Sequence, residues 1–180
     1  MGKLWLAVFR CSKRLIITEP SLIGCVEMSE EDIETALEGM VTLQERMVHL
    51  IQQLSMPLVE VSMVISKQIS GLMKSLNEHI ELTNETFPNN ATQAWPLTED
   101  DIPDSPTQSS FELEKVMSIV DEQRMDILET LIRVTLIETD ANLVDALLAL
   151  RPWEQMARTQ LSKANGPGQL FSPIEIPEDW

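Results

Sequence analysis

Two histidines, His49 and His79, are the residues best suited to acid–base chemistry or metal binding, because imidazole titrates near neutral pH. They lie thirty residues apart, and neither belongs to a motif with a second catalytic or ligating group. The chain also lacks the GxSxG, GxxxxGK, HExxH and GxGxxG patterns that position a nucleophile, a phosphate, a zinc ion or a dinucleotide. We therefore predict a protein that is not an enzyme and holds no cofactor, with both histidines on helix surfaces or boundaries.

Metal and disulfide chemistry have little support. The acidic stretch from Glu99 to Asp104 lacks the ligand spacing and the glycine of an EF-hand loop, so a solvated acidic loop is expected. Cys11 and Cys25 form no CxxC pair and no cluster with histidine, which predicts neither a disulfide framework nor a zinc site. Cysteines of this kind suit a reducing compartment, and we expect the protein in the cytoplasm or in a viral particle assembled there.

A short repeat is the sharpest indication of binding. Asp101-Ile102-Pro103-Asp104 recurs as Glu175-Ile176-Pro177-Glu178, with Trp95 and Trp180 nearby. Proline lowers the entropy lost on docking, Ile and Trp offer apolar anchors, and the acids select a basic rim. The repeat predicts segments that dock on other proteins with basic or apolar grooves; the alternative is coincidence in two acidic linkers. On the first interpretation, deleting residues 169–180 abolishes partner binding and leaves helicity intact.

The net charge of −16 is unevenly distributed. Residues 1–27 hold four basic and two acidic side chains, whereas residues 28–180 hold nine basic and 27 acidic ones. So acidic a body repels nucleic-acid phosphates and anionic membranes, and direct nucleic-acid binding is not expected. The longest early apolar run, Leu4 to Phe9, is far shorter than the roughly twenty residues of a membrane span, so none is predicted.

A long helical repeat must position whatever this protein presents. It begins at Ser29, an N-cap followed by an acidic first turn. Apolar residues then alternate three and four apart, the heptad rule of helices that pack lengthwise. Pro57 falls where the frame slips, which predicts a kink or a break within the helical segment 29–83. The stripe comprises Ile33, Ala36, Met40, Leu43, Met47, Leu50 and Leu54, then Leu58, Ile65, Ile69, Leu72, Leu76 and Ile80.

The second half of the chain contains a linker, a second helical segment and a tail. Residues 84–109 are rich in proline and polar residues, which predicts a disordered connection or a binding segment. A second helical segment, 110–163, begins near the Ser109–Glu112 capping box and either runs on to Leu150 or restarts at Asp140. Pro152 ends it or begins a last short helix, and residues 164–180 form an extended acidic tail. The second stripe, interrupted by Arg124, comprises Leu113, Val116, Val120, Ile127, Leu131 and Val134.

Residues 1–28 differ from the rest, being basic and partly strand-like. They form either an arm that docks on a neighbouring molecule or an upstream extension, with Met28 the natural start.

These patterns predict an all-α fold: a long kinked helical hairpin or bundle with coiled-coil-like packing, an N-terminal arm and a C-terminal tail. Because a lengthwise apolar stripe must lie against another helix, we predict a self-associating structural protein that forms homo-oligomers. Its acidic, Met-rich, Cys-poor composition is similar to that of helical scaffolding and accessory proteins of viral and bacteriophage particles, which implies a role in assembly. The residues expected to carry self-association are Ile33, Met40, Leu43, Met47, Leu50, Leu54, Ile65, Leu72 and Leu131.

A monomeric regulatory adaptor or inhibitor is the alternative. In that case the stripes form an internal core, and the acidity serves to cover a basic surface of a partner protein. The mass of the protein in solution separates the two hypotheses.

Overall fold

The computed structural model describes residues 30–97, 113–164, 166–177 and 180, and over these ranges the predicted all-α class is confirmed. The predicted arm, Ser29, the Ser109–Glu112 capping box and residues 98–109 of the linker lie outside the described residues. The helices are α1 (Glu30–Gln53), α2 (Leu58–Thr83), α3 (Asn89–Thr92), α4 (Leu113–Ile119), α5 (Glu122–Glu138), α6 (Leu143–Lys163) and α7 (Pro167–Leu170).

The first helical segment is broken at Pro57, not kinked. α1 ends in a Schellman motif, in which the Met56 N–H donates to the Ile51 carbonyl at 3.0 Å and the Ser55 N–H to that of Gln52 at 3.1 Å. Ser55 takes a left-handed φ of 46° to close this turn. Pro57, with φ −60°, then stands directly before α2, where its missing N–H is not needed. α1 and α2 are therefore separate helices.

The second helical segment restarts twice: after Asp121, which the sequence did not predict, and after Asn142, close to the restart at Asp140 that was one of the two sequence expectations. α5 begins after Asp121, whose Oδ1 accepts hydrogen bonds of 3.0 and 3.1 Å from backbone N–H groups of the first turn. It ends before Asp140, which takes a left-handed φ of 48°. Asn142 then caps α6 in the same way, with hydrogen bonds of 3.0 and 2.9 Å. Short polar side chains thus define both helix starts.

Pro152 neither ends nor begins a helix, contrary to both sequence expectations, and lies inside α6. A proline in a helix interior removes one backbone hydrogen bond and crowds the preceding turn, at a cost of about 3 kcal/mol. Burial around it offsets this cost, since Leu147, Leu150, Trp153 and Ala157 are at most 2 % exposed. Tertiary packing therefore overrides the local helix-breaking effect.

The core lies between the four long helices, all within one chain. α2 packs along α6 and α1 along α5, while α5 also contacts α2 and α6 also contacts α1. α3 packs on α6, and α7 packs on α2. A smaller apolar cluster joins the start of α2 to α7 and to the α4–α5 junction; its buried members are Val59, Val120, Ala164 and Leu170.

Candidate interaction surfaces

The stripe of α1 and α2 contributes mainly to the chain's own core. Four of the residues predicted to carry self-association, Met40, Leu43, Met47 and Ile65, are at most 4 % exposed. The others are half-buried: Ile33, Leu50, Leu54, Leu72 and Leu131. At the four buried positions the chain has almost no surface left for a second copy. Those four side chains belong to the core of one chain, whereas the five half-buried ones keep part of their surface exposed.

Helix α5 carries two apolar faces, and the predicted stripe includes residues of the exposed one. Ile127 and Val134 of the predicted stripe are 42 % and 43 % exposed, whereas Leu128, Ile132 and Thr135 are at most 1 % exposed. Adjacent helix positions differ by about 100°, so a shift of one residue turns the stripe onto another face. Because both faces of α5 are apolar, periodicity alone could not choose between them.

A buried ion pair fixes the start of α5 on α2. Glu60, in the first turn of α2, is fully buried, and its Oε1 accepts from Arg124 Nη2 at 2.7 Å and from the Asp121 backbone N–H at 2.9 Å. Arg124 Nε also lies 3.5 Å from Asp121 Oδ2. A buried carboxylate requires such partners, because an unpaired one is strongly destabilising. The charge that interrupts the predicted stripe, Arg124, is therefore a structural anchor; the sequence marked it as anomalous without identifying Glu60.

Two further ion pairs hold the edges of α5. Arg46 of α1 pairs with Glu138, and Lys67 of α2 pairs with Glu129 at 2.7 Å. Between these edges the described residues leave one face of α5 exposed. This outer face of α5 consists of Gln123, Asp126, Ile127, Thr130, Arg133, Val134 and Ile137, of which Ile137 is 72 % exposed.

Residues 84–97, the first part of the predicted linker, dock on α6. Arg151, Gln155 and Arg158 of α6 each donate to a backbone carbonyl of this segment, at 3.0, 3.1 and 2.7 Å respectively. Trp95, predicted to anchor a partner, is half-buried, and its indole N–H donates to the carbonyl of Asn90 at 2.7 Å. The indole N–H of Trp95 is thus already hydrogen-bonded within the chain.

The C-terminal segment also docks on the chain itself. The Leu58 N–H donates to the Ser172 carbonyl at 2.9 Å, and the Ile174 N–H donates to the Met56 carbonyl at 3.1 Å. These bonds place residues 172–174 along the junction of α1 and α2, with the Ile174 side chain 7 % exposed. This part of the tail is a component of the fold.

Gln160 of α6 holds the second repeat in place. Its Nε2 donates to the Glu175 carbonyl at 2.6 Å, and its Oε1 accepts from the Glu175 N–H at 3.0 Å. Ile176 is half-buried against the core, while the side chains of Glu175 and Pro177 are exposed. In the second predicted docking motif, the apolar residue Ile176 thus faces the core and the acidic residue Glu175 faces solvent.

Trp180 packs against the buried Trp153, with ring centroids 5.4 Å apart in an edge-to-face arrangement. Gln44 of α1 ties both rings together, because its Oε1 accepts from the indole N–H of Trp153 and, at 3.3 Å, from that of Trp180. Gln44 Nε2 also donates to the Ala149 carbonyl at 2.9 Å. Neither Gln44 nor Gln160 could be identified from the sequence, because nothing in helical periodicity marks a polar residue with long-range partners.

The two repeats are not equivalent in context. The buried Ile174 lies one residue before the second repeat, whereas Asp100 occupies that position before the first. An unpaired carboxylate at the buried position of Ile174 would be costly, so we expect the first repeat not to replace the second at the junction of α1 and α2. Asp101, Ile102, Pro103, Asp104 and Glu178 lie outside the described residues.

A cleft of about 230 Å³ lies between α1 and the α5–α6 turn. Gly39 permits this close crossing, because a Cβ there would stand 3.0 Å from Thr139 Cβ. Asp145 lines the cleft, and its burial raises the pKa of the carboxyl above the usual 3.8, opposed by a 2.6 Å hydrogen bond from Asn142 Nδ2. Among the described residues that line this cleft with Asp145 there is no histidine, cysteine, lysine or arginine.

Both histidines lie on helix surfaces. His49 is exposed, and His79 Nε2 lies 3.1 Å from Glu85 Oε2. Within the described ranges no three His, Cys, Asp or Glu side chains group in a way that could hold a metal ion. Nor does any helix of those ranges have both the length and the apolar character needed to cross a membrane.

Comparison with known proteins adds no relative. No protein-family model matches the chain, and no curated protein and no solved structure matches it.

Proposed function

We propose that this chain is a non-enzymatic, self-associating structural protein that works in assembly. The outer face of α5 carries this proposal. It presents Ile127, Val134 and Ile137, which are 42 %, 43 % and 72 % exposed, in one line along the helix. Aligned exposed apolar side chains of this kind mark protein-binding surfaces more often than isolated ones do.

The setting that we propose is a viral or phage particle or its scaffold. The acidic, Met-rich, Cys-poor composition supports this choice. Charge repulsion from phosphates also favours protein partners over nucleic acid. Within this proposal, the acidic side chains of the two repeats face partners with basic grooves. At the second repeat the exposed Glu175 side chain offers the charge, while Ile176 supports the bundle.

Light scattering on the full chain, and on a chain starting at Met28, tests self-association and the role of the arm together. We expect a defined multimer at micromolar concentration. Ile137→Lys should lower the mass toward that of one chain, because it places a charge on the exposed apolar line. The matched control is Leu82→Lys, since Leu82 is 86 % exposed at the end of α2 and should tolerate the change.

The competing function is a monomeric acidic adaptor or inhibitor that covers a basic surface. The burial of Met40, Leu43, Met47 and Ile65 within one chain favours it, because those stripes need no second copy. A single-chain mass at micromolar concentration would reject self-association and support this alternative.

A further inference from the structure

The outer face of α5 has the spacing of a helix-pairing seam. Ile127, Thr130, Val134 and Ile137 follow one another at steps of three, four and three residues, and all are exposed. This is the heptad spacing that places side chains in one line along a helix. Thr130 is the small member of the line and leaves room for a larger side chain opposite. The core-facing side chains of α5 do not belong to this line.

Two opposite charges border this seam on the same edge. Asp126 precedes Ile127 and Arg133 precedes Val134, so the two charges are one heptad apart. Both are exposed, and neither has an ion-pair or hydrogen-bond partner among the described residues. Arg133 is thus an exposed cation beside an apolar line, with no partner among the described residues, in a chain of net charge −16.

Antiparallel pairing makes this edge complementary to itself. In two antiparallel helices that share such a seam, the same edges of both helices face each other. A two-fold axis level with the midpoint between Asp126 and Arg133 then sets each aspartate opposite the arginine of the other copy, twice. Self-complementarity of one patch is the defining property of a two-fold interface between identical chains.

The geometry points to a second copy of this chain docked antiparallel on the outer face of α5, with Asp126 of each copy paired to Arg133 of the other. This inference rests on the proposed self-association and adds its surface and its register. The same register sets Ile127 level with the gap between Thr130 and Val134 of the second copy, and Val134 level with the gap between Gln123 and Ile127 of the second copy. The paired charges offset the general repulsion between two acidic molecules and select this partner.

Charge reversal in the full chain tests the register. Asp126→Arg and Arg133→Asp should each raise the dimer dissociation constant at least about tenfold, because like charges then face each other twice. The double variant D126R/R133D should restore it to within about threefold of the parent value, since the opposite pairs are re-formed. Glu81→Arg on α2 is the net-charge control for Asp126→Arg, and Lys74→Glu on α2 is the control for Arg133→Asp, because both positions are exposed. Sedimentation velocity over a concentration series measures the dissociation constant of the parent chain and of every variant.

The outcomes separate this inference from the proposed function. Weakening by each single reversal with rescue by the double variant supports the antiparallel pairing. If each single-reversal variant self-associates as tightly as the parent chain, this interface is overturned and self-association itself stays in place. A parent chain that stays monomeric overturns both, and another part of the chain or a different protein then covers the outer face.

Discussion

Helices α2 and α5 carry apolar stripes with the same period, but the bundle buries them differently. The stripe of α2 faces inward, with Leu58, Ile65, Ile69 and Leu76 at most 5 % exposed. α5 buries one apolar face and leaves a second, the outer face, beside solvent. A stripe therefore shows that one face of a helix is apolar, whereas the arrangement of the neighbouring helices decides what covers that face. The inner and outer faces of α5 can be separated experimentally.

The largest effect is expected where α5 is anchored to α2. Arg124→Ala leaves the fully buried Glu60 without its cation, and the free energy of unfolding should fall by about 3 kcal/mol. Urea denaturation followed by circular dichroism measures the loss. Lys74→Ala removes an exposed cation from α2 and should change stability by less than about 0.5 kcal/mol. A loss below about 1 kcal/mol for Arg124→Ala would show that this pair does not set the rotation of α5.

A matched pair of truncations compares the two faces of α5 directly. Leu128→Ala should lower the free energy of unfolding by about 2–5 kcal/mol, because it opens a cavity in the core. Ile127→Ala should lower it by less than about 1 kcal/mol in dilute solution, yet weaken self-association. Denaturation and light scattering on the same samples report both properties. Equal destabilisation by the two changes would contradict the assignment of inner and outer faces.

The two repeats differ in the residue that precedes them, and this difference can be tested at Ile174. Ile174→Asp copies the residue that precedes the first repeat, and it should release the tail at a cost of about 2 kcal/mol. Protease digestion of the tail and tryptophan fluorescence measure release, because Trp180 then leaves Trp153. Glu175→Ala is the control, since Gln160 holds only the backbone of that residue. A protected tail in the Ile174→Asp variant would mean that the junction of α1 and α2 accepts either residue before the repeat.

The smallest effect is expected at the far end of α5, in the cleft beside Asp145. Burial raises the pKa of this carboxyl in the folded protein, so its contribution to stability is full below the usual value of 3.8 and is lost as the pH rises through the higher folded value. Asp145→Asn should therefore increase stability slightly at pH 7 and flatten its pH dependence just above 3.8. Thermal unfolding at a series of pH values measures this; a lower stability at pH 7 would show that the charge is favourable there.

Much of the secondary structure could be predicted, because it depends on local chemistry. The break at Pro57 and the restart near Asp140 follow from residues that cap or interrupt helices. Pro152 could not be predicted correctly, since long-range burial of Trp153 and its neighbours outweighs the local penalty. The tail and the segment 84–97 look free in the sequence, and only the positions of Gln160 and Arg151 show why they dock.

The sequence by itself determined an acidic, all-α chain with lengthwise apolar stripes, because helix periodicity and charge are properties of neighbouring residues. Only the tertiary structure decided that α1 and α2 bury their stripes within one chain and that α5 turns Leu128 inward and Ile127 outward. The physical reason is that α5 is apolar on two sides, so its rotation depends on distant partners such as Glu60, which no local pattern connects to Arg124.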